Sequence, residues 1–252
     1  EPDLPICDPH HHLWDRNSYQ PIQPRYLLDE ILEDINGGHN IVSTVFIECG
    51  AMFKTDGPEH MKPVGETEFV NGIAAMSASG IYGKAKISAG IVGTVDLTIG
   101  ELSGEVLDAH IAAGGGRFRG IRRAVAWDAA DVIRNHRTEP PAGLLLQDKF
   151  RRGFAELGPR GMTFEAWCYH PQIAEVTDLA RAFPDTTIIL DHFGGPLGTG
   201  PYAGKANEVF EIWKPLIREL ATCENVFAKL GGINMDVNGF ACHEQRTPPS
   251  SA

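Results

Sequence analysis

The feature that most constrains the fold is an alternation. Apolar runs rich in Val, Ile and Phe, with the two-residue period of a strand, fall at about 5–10, 41–48, 86–95, 118–125, 162–169, 186–192 and 226–231. Between them, 26–35, 66–77, 101–112, 144–156, 172–182 and 206–221 bring apolar positions round every three or four residues, as on a helix. Parallel strands need a long crossover, usually helical, so the alternation predicts β-α-β units and a parallel sheet. Six such units in succession predict an α/β fold of the (β/α)8 TIM-barrel kind. Such a barrel wants eight strands. Seven are found, and only loop-like sequence follows the seventh. The chain 1–252 is therefore read as a single barrel domain lacking its last strand and helix. The absent initiator Met and the abrupt Thr247-Pro248-Pro249-Ser250-Ser251-Ala252 ending predict a segment of something longer.

Composition removes several function classes. A net charge of -11, from 33 acidic and 22 basic residues, speaks against nucleic acid, whose phosphates need a basic face. No apolar run approaches the length of a membrane span, and nothing at the start resembles a signal peptide. The five cysteines lack any C-x-x-C spacing, which suggests neither a disulfide framework nor a thiolate zinc site and makes a reducing cytoplasm the expected home. The expected partner is a small-molecule anionic substrate, with self-association into a homo-oligomer left open.

Chemistry concentrates at strand ends. In Asp8-Pro9-His10-His11-His12, strand parity sends Asp8, His10 and His12 to one face and His11 to the other, so two imidazoles can meet one ion. The bland alternative is a histidine-rich strand end or the remnant of a tag, against which stand the apolar strand before it and Leu13-Trp14-Asp15 after it. His170 closes the fifth strand and His192 the sixth, on the rim where barrels of this kind assemble catalytic groups. Glu48 closes the second strand; it can orient a metal ligand, act as a base or cap the strand end. In Phe118-Arg119-Gly120-Ile121-Arg122-Arg123, parity groups Phe118, Gly120 and Arg122 away from the helix layer. An interior guanidinium there needs a partner, either a substrate carboxylate or an internal Asp or Glu. Asp191 has the parity opposite to His192 and is read as structural. The long polar loops 52–63 and 134–143 are expected to roof the pocket.

Other motifs carry less. Gly198-x-Gly200-x-x-Ala203 spells a dinucleotide fingerprint, but Pro201 falls inside it and it does not directly follow a strand. No nucleophile elbow of the G-x-S-x-G kind occurs.

Four stretches, Asp8-x-His10-x-His12-Leu13-Trp14, Phe118-Arg119-Gly120-Ile121-Arg122, Tyr169-His170-Pro171-Gln172 and Leu190-Asp191-His192-Phe193-Gly194-Gly195-Pro196, together resemble the amidohydrolase-related (amidohydrolase 2) family of TIM-barrel hydrolases and lactonases. The resemblance covers nearly the whole chain. It implies His10, His12 and His170 as metal ligands, His192 as ligand or acid/base, and Arg122 as a contact to a substrate carboxylate. Trp14 joins Arg122 as a candidate substrate contact, and Glu48 joins His192 as a candidate catalytic group. The implied cofactor is a divalent metal, zinc or manganese, although some lactonases of the family work without one. The family's eighth strand brings an Asp, for which no candidate strand remains here.

The expected function is metal-dependent hydrolysis of a small carboxylated ester or lactone, the ion activating water and His192 moving the proton. Two alternatives use the same residues differently. One is non-oxidative decarboxylation of an aromatic or unsaturated acid; the other is a non-catalytic barrel that binds small molecules.

Overall fold

The computed structural model describes residues 3–16, 23–135 and 138–247. The ending at 248–252 and residues 136–137 of the second roofing loop lie outside the described residues. The chain divides into two compact units, Glu1–Arg122 and Arg123–Ala252.

The first unit is built on strands β1 (Ile6–His11), β2 (Ile41–Ile47), β3 (Lys86–Gly93) and most of β4 (Phe118–Ala124), paired in that order and all parallel. Helices α1 (Leu28–Ile35), α2 (Val64–Ala78) and α3 (Ser103–Ala113) make the crossovers. The reason for α1 is visible in its sequence. Leu28, Ile31 and Ile35 recur at helical spacing and are buried, while the Glu30 carboxylate accepts the Leu27 N–H at 2.8 Å and caps the first turn. The core holds Phe46, Ile47, Ile87, Ile91, Leu107 and Ile121, none more than 1% exposed. Each such side chain contributes roughly 1.5–3 kcal/mol by leaving water.

The expected alternation in β4 is interrupted. Its register on β3 steps from Ile91↔Phe118 to Val92↔Gly120, so one residue is left over at Arg119. Phe118 therefore faces the helices, stacked on His110 of α3 with ring centroids 5.0 Å apart. Grouping Phe118 with Gly120 and Arg122 fails because a bulge resets the two-residue period.

The second unit carries the end of β4, then β5 (Thr163–Trp167), β6 (Ile188–Leu190) and β7 (Val226–Ala228). Phe164↔Ile188 and Ile188↔Val226 set parallel registers. The 144–156 segment is not one helix. A 3-10 turn, Leu144–Leu146, is separated from α4 (Asp148–Phe154) by Gln147, whose backbone is extended. Helices α5 (Ile173–Ala182) and α6 (Ala206–Leu220) follow β5 and β6. Phe150, Phe154 and Phe164 form the aromatic heart of this unit, with the 154 and 164 rings edge to face at 5.1 Å. Gly200–Tyr202 is a 3-10 turn and α6 begins only at Ala206, so the glycine fingerprint lacks the helix N-terminus that phosphate binding requires.

Among the described residues, seven strands alternating with helices give an incomplete (β/α)8 barrel fold, as the alternation predicts. Among the described residues no helix is long and apolar enough to cross a membrane.

Candidate active site

In the first unit, the three histidines closing β1 are sorted by their partners. His11 turns to a buried polar niche, its Nε2 at 2.9 Å from the Thr44 hydroxyl and 3.4 Å from that of Ser88, and burial pushes its pKa down to about 4. His10 and His12 lie together, rings edge to face at 5.0 Å. The His12 Nδ1 sits 2.8 Å from the Ile47 carbonyl oxygen. A carbonyl only accepts, so Nδ1 carries the proton and Nε2 keeps its lone pair. Burial first, and the Arg122 charge second, push the His12 pKa down to about 3, so the ring stays neutral.

Arg122 organises the rest of this cluster. Its Nε donates to Glu48 Oε1 at 3.0 Å, one Nη to the Glu48 carbonyl at 2.6 Å, and the other Nη to His10 Nε2 at 3.2 Å. The two side chains are only 9% and 3% exposed. Of the two partners open to Arg122, the structure supplies the internal carboxylate. Glu48 is correspondingly a counter-ion here, its carboxylate turned to the guanidinium. Glu66, on the first turn of α2, accepts the N–H groups of Cys49 and Ala51 at 3.0 and 2.8 Å and so fixes the bend directly after Glu48. Trp14 sits in a two-residue antiparallel ladder with Arg25–Tyr26; its indole N–H donates to the Gln23 carbonyl at 2.9 Å and its ring lies 5.5 Å from that of Tyr26.

In the second unit, His170 opens a 3-10 turn after β5 and is 1% exposed. Its Nδ1 accepts the Leu197 N–H at 3.3 Å, and burial pushes its pKa down to about 4. A neutral ring that accepts at Nδ1 carries its proton on Nε2, which makes His170 a donor. Its ring meets Tyr202 edge to face at 5.4 Å, and the Tyr202 hydroxyl donates to Asp128 at 2.8 Å.

His192 is presented differently. Strand β6 ends at Leu190, and His192, Phe193, Gly194 and Gly195 all have positive φ, from 51° to 69°. A histidine and a phenylalanine held there store strain, the kind that persists where surrounding contacts over-determine it. His192 Nδ1 donates to the Gly231 carbonyl at 3.2 Å, so Nδ1 carries the proton and Nε2 is the unprotonated nitrogen of the neutral ring. Its ring rests edge to face on Trp167 at 5.1 Å. The parity argument that set Asp191 apart from His192 does not apply beyond Leu190, because the chain is no longer extended. Asp191 and His192 offer ligand atoms within 4.8 Å of each other.

Sequence reasoning missed Lys229, Glu165, Glu66 and Trp167. Lys229 Nζ lies 2.5 Å from Glu165 Oε2 and 3.6 Å from Asp191 Oδ1, all three buried or nearly so. The signal was present: Glu165 inside the apolar run Phe164-Glu165-Ala166 and Lys229 directly after Val226-Phe227-Ala228 are opposite charges at strand positions, and a charge that is buried there must be paired.

The amidohydrolase family model, Amidohydro_2, matches residues 7–251. The chain belongs to the amidohydrolase family. Among relatives, this amidohydrolase is 30% identical over 250 residues to protein y4mH of Sinorhizobium fredii (strain NBRC 101917 / NGR234), covering 92% of this chain and 74% of that one. Its fold is similar to that of an amidohydrolase from Burkholderia multivorans with bound zinc, at TM-score 0.64 and 22% identity, covering 90% of this chain and 69% of the other. It is also similar to a probable 2-pyrone-4,6-dicarboxylic acid hydrolase from Acinetobacter baumannii with citric acid bound, at TM-score 0.52 and 11% identity, covering 90% and 70%.

Proposed function

We propose that this amidohydrolase opens a small carboxylated ester or lactone, with His192 as the group that takes a proton from water and returns it to the leaving oxygen. The observation that carries the reading is the presentation of His192: a strained turn, with Nδ1–H anchored on Gly231 so that Nε2 is the unprotonated nitrogen. An imidazole in that state suits proton exchange near neutral pH. The lactone class is supported by the similar fold of the probable 2-pyrone-4,6-dicarboxylic acid hydrolase, whose name denotes a cyclic ester bearing two carboxylates.

The three histidines expected to hold a metal differ in what their ring nitrogens offer. His12 presents a free Nε2 lone pair, but the Nε2 of His10 is engaged by Arg122 and His170 is a donor. A catalytic zinc takes about three protein ligands, and the two of these histidines in Glu1–Arg122 offer one unengaged ring nitrogen, on His12. The zinc of the Burkholderia relative makes a divalent ion at His12 the reading to test. Elemental analysis of the purified protein and of His12→Ala checks it: a stoichiometric ion lost in the variant places it there, and equal metal content in both removes it.

The reaction itself is tested by screening lactones and aromatic acids for proton release and for carbon dioxide. Ring opening with one new carboxylate per turnover is expected, and His192→Asn should lower kcat/KM on the order of 10²–10⁴-fold, the usual worth of a positioned acid/base. Carbon dioxide as product, or full turnover in His192→Asn, overturns the proposal.

A further inference from the structure

We propose that Lys229 is a positioning residue that holds His192 in its one working tautomer, with Glu165 and Asp191 as its counter-charges. For its kinetic consequence this rests on the acid/base role proposed for His192; the geometry stands by itself.

Lys229 is tied to the His192 turn three times. Its backbone N–H donates to the Leu190 carbonyl at 2.9 Å, the residue at which β6 ends, and its carbonyl accepts the Phe193 N–H at 3.4 Å. Its ammonium bridges Glu165 on β5, at 2.5 Å, and Asp191, at 3.6 Å, the residue directly before His192. The main chain leaving Lys229 then forms the cradle of the ring. Gly231 supplies the carbonyl that takes the Nδ1 proton, and Gly232, at φ 78°, passes so close that a Cβ there would lie 2.2 Å from Nδ1. Only glycine allows that approach.

The charges explain why a lysine stands there. Asp191 is fully buried and the Glu165 side chain is 2% exposed, and two carboxylates in such surroundings repel unless a cation lies between them. With an apolar side chain at 229, Glu165 and Asp191 lose the ammonium that lies against both of them. The loss shifts Asp191 and the 229–232 cradle, and with them the anchor of Nδ1. The ring then gains the second neutral tautomer, in which Nε2 carries the proton and cannot accept one.

The test compares the wild-type protein with Lys229→Met, Lys229→Arg and the double variant Glu165→Gln/Lys229→Met. Long-range 1H–15N spectra, assigned through His192→Asn, report which ring nitrogen holds the proton without any turnover. A single Nδ1–H species is expected in the wild type, and a mixture in Lys229→Met. In parallel, kcat should fall on the order of 10–100-fold in Lys229→Met, the usual effect of losing a partner that orients a functional group. KM should stay within about threefold and Lys229→Arg should recover part of the loss, as expected for lost positioning rather than lost binding. Should Lys229→Met fail to fold, the double variant removes both partners of the closest pair and is read by the same spectra. A single Nδ1–H tautomer retained without the lysine overturns the inference. Altered tautomers in a protein that hydrolyses no lactone would instead sustain it and fault the proposed reaction.

Discussion

Arg122 and Glu48 show what a buried ion pair does for a site. Removing both ions from water is costly, and the three donor contacts from one guanidinium offset that cost only while both partners are present. Arg122→Met would take the guanidinium away from the buried Glu48 carboxylate and should destabilise the protein by roughly 3–5 kcal/mol, read as a lower urea midpoint at pH 7. Adding Glu48→Gln should restore much of that loss, because a neutral amide needs no counter-ion. A double variant no more stable than the single one would show that the pair's value is in packing. The same guanidinium donates to His10 Nε2, so Arg122→Met also removes a cation that competes for a ligand nitrogen beside His12. If a divalent ion is held there, this variant should bind it more tightly than the parent, a result calorimetric titration with zinc would show.

At the scale of elements, the turn after β6 depends on residues with no room for alternatives. At Gly195, φ is 51° and an added Cβ would lie 2.4 Å from the Cys168 carbonyl oxygen, so Gly195→Ala meets both strain and a backbone clash. It should cost roughly 1–3 kcal/mol in unfolding free energy, the range for overpacking and a sparsely populated backbone region, and should disturb the neighbouring His192. A melting temperature equal to the parent's would contradict the tightness described. This turn also marks where the sequence stops being informative. Strand and helix positions follow from apolar period alone, so β2 at Ile41–Ile47 and α6 at Ala206–Leu220 fall where the pattern puts them. Parity then orders side chains only while the strand is regular. It separates His11 from His10 and His12, misplaces Phe118 because of the bulge at Arg119, and says nothing true of Asp191 and His192 once the backbone turns left-handed. The pairing of Lys229 with Glu165 was hidden for another reason. The two are 64 residues apart, and only the parallel registers of β5, β6 and β7 bring them together.

For the whole molecule, the buried histidines set a direction for acid stability. His11, turned to the Thr44–Ser88 niche, and His110 on α3 are both pushed down to about 4, in each case chiefly by burial. An unfolded chain takes up these protons near the ordinary value of 6.5, whereas the native state refuses them until about pH 4. Between those limits the unfolded state binds more protons, so stability rises with pH: it is fully present above about 6.5 and is lost progressively as pH falls toward 4. Each shift is worth on the order of 3 kcal/mol once pH reaches its lower limit, at about 1.4 kcal/mol per unit. Both residues lie in Glu1–Arg122, so backbone protection against hydrogen exchange should weaken first in that unit. The expected measurement is a urea midpoint that drops between pH 7 and pH 5, with the drop reduced in a His11→Asn/His110→Asn variant that folds at neutral pH. Loss of carboxylate pairs also weakens the protein in acid, but that begins lower, around the ordinary carboxylate values near 4, and would persist in the double variant. An unchanged midpoint from pH 7 to pH 5 in the parent would mean that these imidazoles are reached by water and protons without unfolding.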